Sequence, residues 1–224
     1  MRYILLMIML ITSSLPSAAA QATFTLDEVL AGMDEVSRGF RDMSANVERA
    51  RYTAFLDNSR SEFGRMYFVR GDRSRIRISL ERPARKEFLI DEGLVRSYNP
   101  NTNVVDEIPL GEHEDKVEFM VIGFGTSRAE LLGFYEVSPA GSEEIDGRTL
   151  PMLDLVPRDP AVRQHFSLIR LWMDPETWTP VQTRAMQPGG DHLTVYFSDV
   201  EINEGVEGDV FSLDLPDDVQ VVRP

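Results

Sequence analysis

Glu118-Phe-Met-Val-Ile-Gly-Phe-Gly125 packs five large apolar side chains into seven positions of a chain that is 27% charged. Acidic Gly111-Glu-His-Glu-Asp-Lys116 precedes the run. A helix-start signal follows it, Ser127 with Glu130 three residues later. The run is too short to span a membrane, which takes about 20 residues. Helical spacing fits Val117, Met120, Val121 and Phe124 about as well as β alternation does. The stretch is either ordinary core or apolar surface kept for something other than protein. Its flanks decide which.

Upstream, Leu26 to Met43 reads as one amphipathic helix. Leu26, Val29, Leu30, Met33, Val36, Phe40 and Met43 recur at helical spacing, and Thr25 with Glu28 makes a capping box. Strands follow. Met43, Ala45 and Val47 alternate with polar residues, Tyr52 to Leu56 stays extended, and Asp57-Asn58-Ser59 turns the chain into Phe63 to Arg70. Arg73, Arg75 and Arg77 alternate with Ile76, Ile78 and Leu80, giving one charged and one buried face. Phe88 to Ile90, Leu94 to Tyr98 and Val104 to Ile108 are short strands set off by turns. Beyond residue 134 the pattern resumes with Phe134–Val137, Leu150–Val156, Phe166–Met173, Trp178–Met186 and Leu193–Ile202.

Only Gly111 to Gly133 lacks this rhythm, and it reads as one or two short helices lying across a face of the sheet. The expected fold class is mainly β with helices (α+β), built on one antiparallel sheet of ten or eleven strands. One long helix and a short middle pair cannot cover both faces of so large a sheet. Either the sheet curls and the helices close its concave face, or apolar surface is left to water. A curled sheet with a helical lid encloses a space. The pattern alone leaves open whether side chains or a ligand fill it.

Residues 1–22 read as a secretory signal peptide. Met1-Arg2 is the basic head, Ile4 to Leu15 the apolar run, and Ser17-Ala18-Ala19-Ala20 the small-residue site, with cleavage after Ala20 or Ala22. The mature chain, 23–224, is expected to be one exported, soluble domain with lid helices near 25–43 and 112–133. Cysteine is absent, which removes disulfides, thiolate metal sites, cysteine nucleophiles and a lipidated N-terminal cysteine. The net charge of −14 excludes a nucleic-acid footprint. It is unevenly spread. Arg41–Arg96 holds thirteen Lys/Arg against nine Asp/Glu, whereas Ser97–Pro224 holds eight against twenty-four. Such asymmetry fits cross-strand pairing within the fold or contact with an anionic partner.

Catalytic and metal motifs are missing. His113, in Glu112-His-Glu-Asp115, has no second histidine at metal spacing, and His165 and His192 stand alone. There is no G-x-S-x-G elbow, and Gly123-Phe-Gly-Thr-Ser-Arg128 lacks a phosphate-loop lysine. No carboxylate pair stands out as a dyad. Trp172 and Trp178 flank the turn Asp174-Pro-Glu-Thr177 and read as core. No cofactor, no metal and no enzymatic activity are expected.

The order of these segments resembles the LolA family of periplasmic lipoprotein carriers, from the first helix to the last strand. The family's alternating strand corresponds to Met43-x-Ala45-x-Val47-x-Arg49. Its following segments correspond to Gly64–Arg70, Arg73–Arg77, Pro83 and "IDEGLVRSYNP". Further matches are "LDLVPRD", "IRLWMDPETWTPVQTRAMQPGGD" and "FSDVEINEGVEGDVFSLDLPDDVQVV". The resemblance implies a strongly curved, incomplete β-barrel whose helical lid closes an acyl-chain cavity. Candidate lining residues are then Val47, Phe68, Ile76, Ile78, Phe88, Ile90, Leu153 and Leu155 from strands. The lid would add Phe119, Met120, Ile122, Phe124 and Leu131. Arg70 stands where the family's arginine holds the lid by hydrogen bonds to lid carbonyls. Departures from the family are Gly71 for a proline, Val69 for a lysine and Ser74 for a frequent cavity phenylalanine.

The resemblance further implies a periplasmic monomer that carries an acylated lipoprotein or lipid. An inner-membrane transporter would release the cargo and an outer-membrane acceptor would receive it. Two other readings stay open. One is a sensor or regulatory binding module of the same fold, although sigma-factor regulators of that kind carry an extra C-terminal domain. The other is an enzyme using the cavity, which needs convergent polar groups inside it.

Overall fold

The computed structural model describes residues 24–72, 74–111 and 119–223. The signal-peptide reading, His113 and Val117 lie outside the described residues.

Helix α1 spans Leu26–Gly39. Thr25 Oγ1 accepts from the Glu28 N–H and the Glu28 carboxylate accepts from the Thr25 N–H, so the capping box forms as its spacing predicts. Val29, Leu30, Gly32 and Met33 are its buried stripe. A Cβ at Gly32 would sit 2.2 Å from the Trp178 ring, so the indole lies directly on the helix backbone. The helix stops four residues short of the sequence expectation. Asn203 Nδ2 donates to Gly39 O and its Oδ1 accepts from Arg41 N, and Phe40 is already extended. Strand pairing of Met43 with Ile202 and Phe68 outweighs the helical spacing of Phe40 and Met43. Both side chains are buried all the same.

The strands are β1 Asp42–Thr53, β2 Asn58–Val69, β3 Arg75–Arg82, β4 Lys86–Asp91, β5 Leu94–Asn99 and β6 Val104–Pro109. Then come β7 Tyr135–Ile145, β8 Arg148–Pro157, β9 Leu168–Met173, β10 Pro180–Met186, β11 His192–Ile202 and β12 Gln220–Val222. They form a single sheet in the order β12-β6-β5-β4-β3-β2-β1-β11-β10-β9-β8-β7. Every neighbouring pair is antiparallel except β12 beside β6. The sheet does not close into a barrel. The chain leaves β6, next to one edge, and re-enters at β7, the opposite edge.

One face is apolar along most of its width. Met43, Ala45 and Val47 of β1 share it with Met66, Phe68, Ile76, Ile78 and Ile90 on one side. Leu153, Leu155, Ile169, Leu171, Val195 and Phe197 continue it on the other. Register shifts at Ser44/Asn46, Phe63/Gly64, Pro139/Ser142 and Pro180/Gln182 bend the strands. At Gly64 a Cβ would fall 1.9 Å from Ser79 O, so this bulge requires glycine. Ion pairs knit the strands together, among them Arg77–Glu87, Arg170–Asp154 and Arg65–Glu201. The last joins the basic N-terminal part of the chain to its acidic C-terminal part, as the cross-strand reading of the charge asymmetry expects.

Candidate functional site: an apolar cavity and its lid

Phe119 to Gly125 is neither strand nor helix; it folds as consecutive turns. Helix α2 begins only at Arg128 and runs to Phe134, started by the Ser127–Glu130 capping box. Of the one or two short helices expected here, the described residues hold one, preceded by turns. Glycine explains the turns. Gly123 (φ +96) and Gly125 (φ +68) are left-handed, and a Cβ on Gly125 would lie 2.5 Å from the Phe40 ring. That backbone presses Phe119, Ile122 and Phe124 onto the apolar face, all three buried. Phe119 packs on Phe166 with ring centroids 5.0 Å apart, and Phe124 meets Phe197 edge-on at the same separation.

Beside this lid lies a cavity of about 570 Å³, within the range that holds small ligands. Phe68, Ile76 and Ile90 line it from the sheet, Ile122 and Phe124 from the lid, and Leu131 from α2. Its rim carries Arg70, Asp72, Ser74, Glu92 and Glu130, and Phe134, 64% exposed, stands at the mouth.

The thirteen apolar candidates therefore divide. Six of them line this cavity together with Arg70. Ile78, Phe119, Leu153 and Leu155 are buried in the adjoining core, and Phe88 and Met120 are half-buried against it. Val47 borders a second hollow of about 590 Å³, whose walls include Glu48, Glu81, Arg82, Asp146, Arg148 and Gln182. Sequence reasoning missed Leu110, Val121 and Tyr135 on the cavity wall. Tyr135 opens β7 facing inward, a position its strand alternation signals only once the strand start is known.

Arg70 directly follows β2 and reaches the lid in two places. Its Nη1 donates to Gly125 O, and its Nη2 donates to Glu130 Oε1 at 2.6 Å. Its own N–H donates to Arg41 O, fixing the stem. Glu130 meanwhile accepts from the Ser127 N–H and hydroxyl. Burial pushes the Glu130 carboxyl up, but the Ser127 bonds and the Arg70 charge prevail and hold it below the ordinary carboxylate value. On the far side, α2 is tied to β7 and β8. Arg158 N donates to Phe134 O, and Arg158 Nε donates to Leu132 O and Tyr135 O. Arg128 adds bonds to Asp34 and Asp27 of α1. No cluster of three or more metal-ligating side chains occurs among the described residues.

No protein-family model matches the chain, and no curated protein matches its sequence. Solved structures do match in fold. An uncharacterised conserved protein from Thermus thermophilus aligns at 14% identity over 88% of this chain and 98% of its own, with a TM-score of 0.55. MucB aligns at 16% identity over 88% of this chain and 64% of its own, with a TM-score of 0.51. A LolA superfamily protein from Nitrosomonas europaea aligns at 15% identity over 85% of this chain and 99% of its own, with a TM-score of 0.40. The likeness is one of fold: an open, mainly antiparallel sheet with a helix and a run of turns packed on its apolar face.

Proposed function

We propose that this protein is a non-enzymatic periplasmic carrier that shields the acyl chains of a lipoprotein or related lipid between the inner and outer membranes. The observation that carries the reading is the run of turns packed beside the cavity. Phe119, Ile122 and Phe124 occupy the concave face next to a cavity of about 570 Å³, and a single arginine pins them there from the sheet. Burying each such side chain contributes roughly 1.5–3 kcal/mol. A long acyl chain contributes on the order of 10 kcal/mol, at about 0.8 kcal/mol per methylene. Gains of similar size let cargo exchange with the lid and leave again. The signal-peptide pattern supports export. No described helix is long and apolar enough to cross a membrane. In this reading the cargo is handed over by an inner-membrane transporter and received by an outer-membrane acceptor, with the carrier acting as a monomer without cofactors.

Native mass spectrometry of the mature protein, purified from a bacterial periplasm without detergent and followed by organic extraction, tests this. A bound lipid or acyl species is the expected result and names the cargo class. A bare protein that also ignores a fluorescent acyl probe rejects the carrier reading, and the regulatory-module reading of the fold then takes its place.

A further inference from the structure

The β1–β2 hairpin outruns the rest of its half of the sheet. β2 pairs with β3 only as far as Phe63, opposite Arg82, while β1 and β2 stay paired out to Thr53 and Asn58. Asn58 to Glu62 therefore have β1 alone as a partner strand. At the tip a 3-10 turn, Ala54–Leu56, closes on Asp57 in the left-handed region. That turn puts Phe55 at 93% exposure and Leu56 at 63%. Phe55 is the most exposed large apolar side chain among the described residues. A turn needs neither residue, since small and polar side chains make the same geometry.

Charge at the tip points the same way. Arg51 and Arg60 are direct cross-strand partners, an arrangement that destabilises a hairpin. Both are exposed, and beyond the backbone ladder neither side chain has an ion pair or hydrogen bond among the described residues. The acids nearby are engaged elsewhere. Asp57 accepts from the Tyr52 hydroxyl, Asp191 accepts from Ala54 N, and Glu62 is held by Arg49 and Lys86. A chain of net charge −14 has carboxylates to spare, yet none neutralises these two arginines.

We infer that the β1–β2 tip docks on an anionic lipid bilayer, with Phe55 and Leu56 entering the interface and Arg51 and Arg60 taking lipid phosphates. An aromatic ring and a leucine on an exposed turn, braced from one side by the β10–β11 turn through Asp191 and His192, bury in the headgroup zone without disturbing the fold. The arginine pair supplies local attraction where the whole protein is repelled. Arg70 and the cavity mouth lie at the other end of the same hairpin. Its twelve-residue strands place that end roughly 40 Å away. A docked molecule thus presents its mouth to the aqueous side, and the inference stands whatever fills the cavity.

The test is co-sedimentation of the full mature chain with vesicles of phosphatidylcholine alone or mixed equally with phosphatidylglycerol. Binding is expected only to the mixed vesicles and should weaken with salt. Arg51→Gln with Arg60→Gln should lower partitioning about twenty-five-fold, at roughly fivefold per charge near the surface. Phe55→Ser with Leu56→Ser should lower it by about a hundredfold or more. Phe55→Trp should shift its emission to the blue, read against the parent protein, on mixed vesicles only. All these residues are exposed, so circular dichroism should be unchanged. Absence of binding, or binding that survives both double substitutions, overturns the inference, and a protein partner for the tip then becomes the alternative.

Discussion

Arg70 shows how much one side chain can span. Its planar fork meets a lid carbonyl and the Glu130 carboxylate at once, which a lysine's single ammonium cannot do. Arg70→Ala should leave the fold intact, lower stability by about 1–2 kcal/mol and speed amide exchange through Val121–Gly125. Acyl-probe affinity should change severalfold, and an unaltered affinity rules out a latch. Glu130 makes the same contact sensitive to acid. Its pKa in the folded state is depressed, so its contribution is complete above the ordinary carboxylate range and fades as pH falls through the lower folded value. Lid exchange should therefore rise on acidification in the parent protein and stay flat with pH in Glu130→Gln. The sequence marked Glu130 as half of a capping box, but nothing in it foretold the second partner. The contact of Arg70 with a backbone carbonyl of Gly125 was suggested only by resemblance, because no local pattern separates such an arginine from any other at a strand end.

Among elements, the lid is the instructive case. Its apolar spacing was compatible with helix or strand, and the chain adopts neither, because Gly123 and Gly125 take conformations that end both. Gly125→Ala combines a left-handed backbone with a clash against Phe40 and should cost about 2–3 kcal/mol in thermal or urea melts. Gly133→Ala, in helix α2 with open space around it, should be neutral or stabilising by up to about 1 kcal/mol. Equal effects of the two substitutions would remove the backbone explanation. Element ends were less legible than elements. Phe40 and Met43 continue the helical spacing of α1, yet tertiary pairing draws Met43 into β1 and leaves Phe40 extended just before it. A helix α3, Pro160–His165, went unread although Asp159 caps it and Pro160 opens it, since six residues between strands leave no periodicity to see.

For the molecule as a whole, alternation revealed the strands and surface bookkeeping revealed the curl. The sheet has twelve strands rather than ten or eleven, and the surplus includes β12, three exposed residues running parallel to β6. Alternation tells which way a side chain faces but not what sits opposite it. That is why six candidates line the cavity while Leu153 and Leu155, on the same face, are sealed in core. The connection from β6 to β7 has a mechanical meaning. Its described end, residues 119–134, is fastened at two points, by Arg70 from the middle of the sheet after β2 and by Arg158 from beside the edge after β8. The arrangement is that of a buttoned flap. Undoing the button at Arg70 should free the turns over the cavity while Arg158 keeps the hem at α2 sewn down.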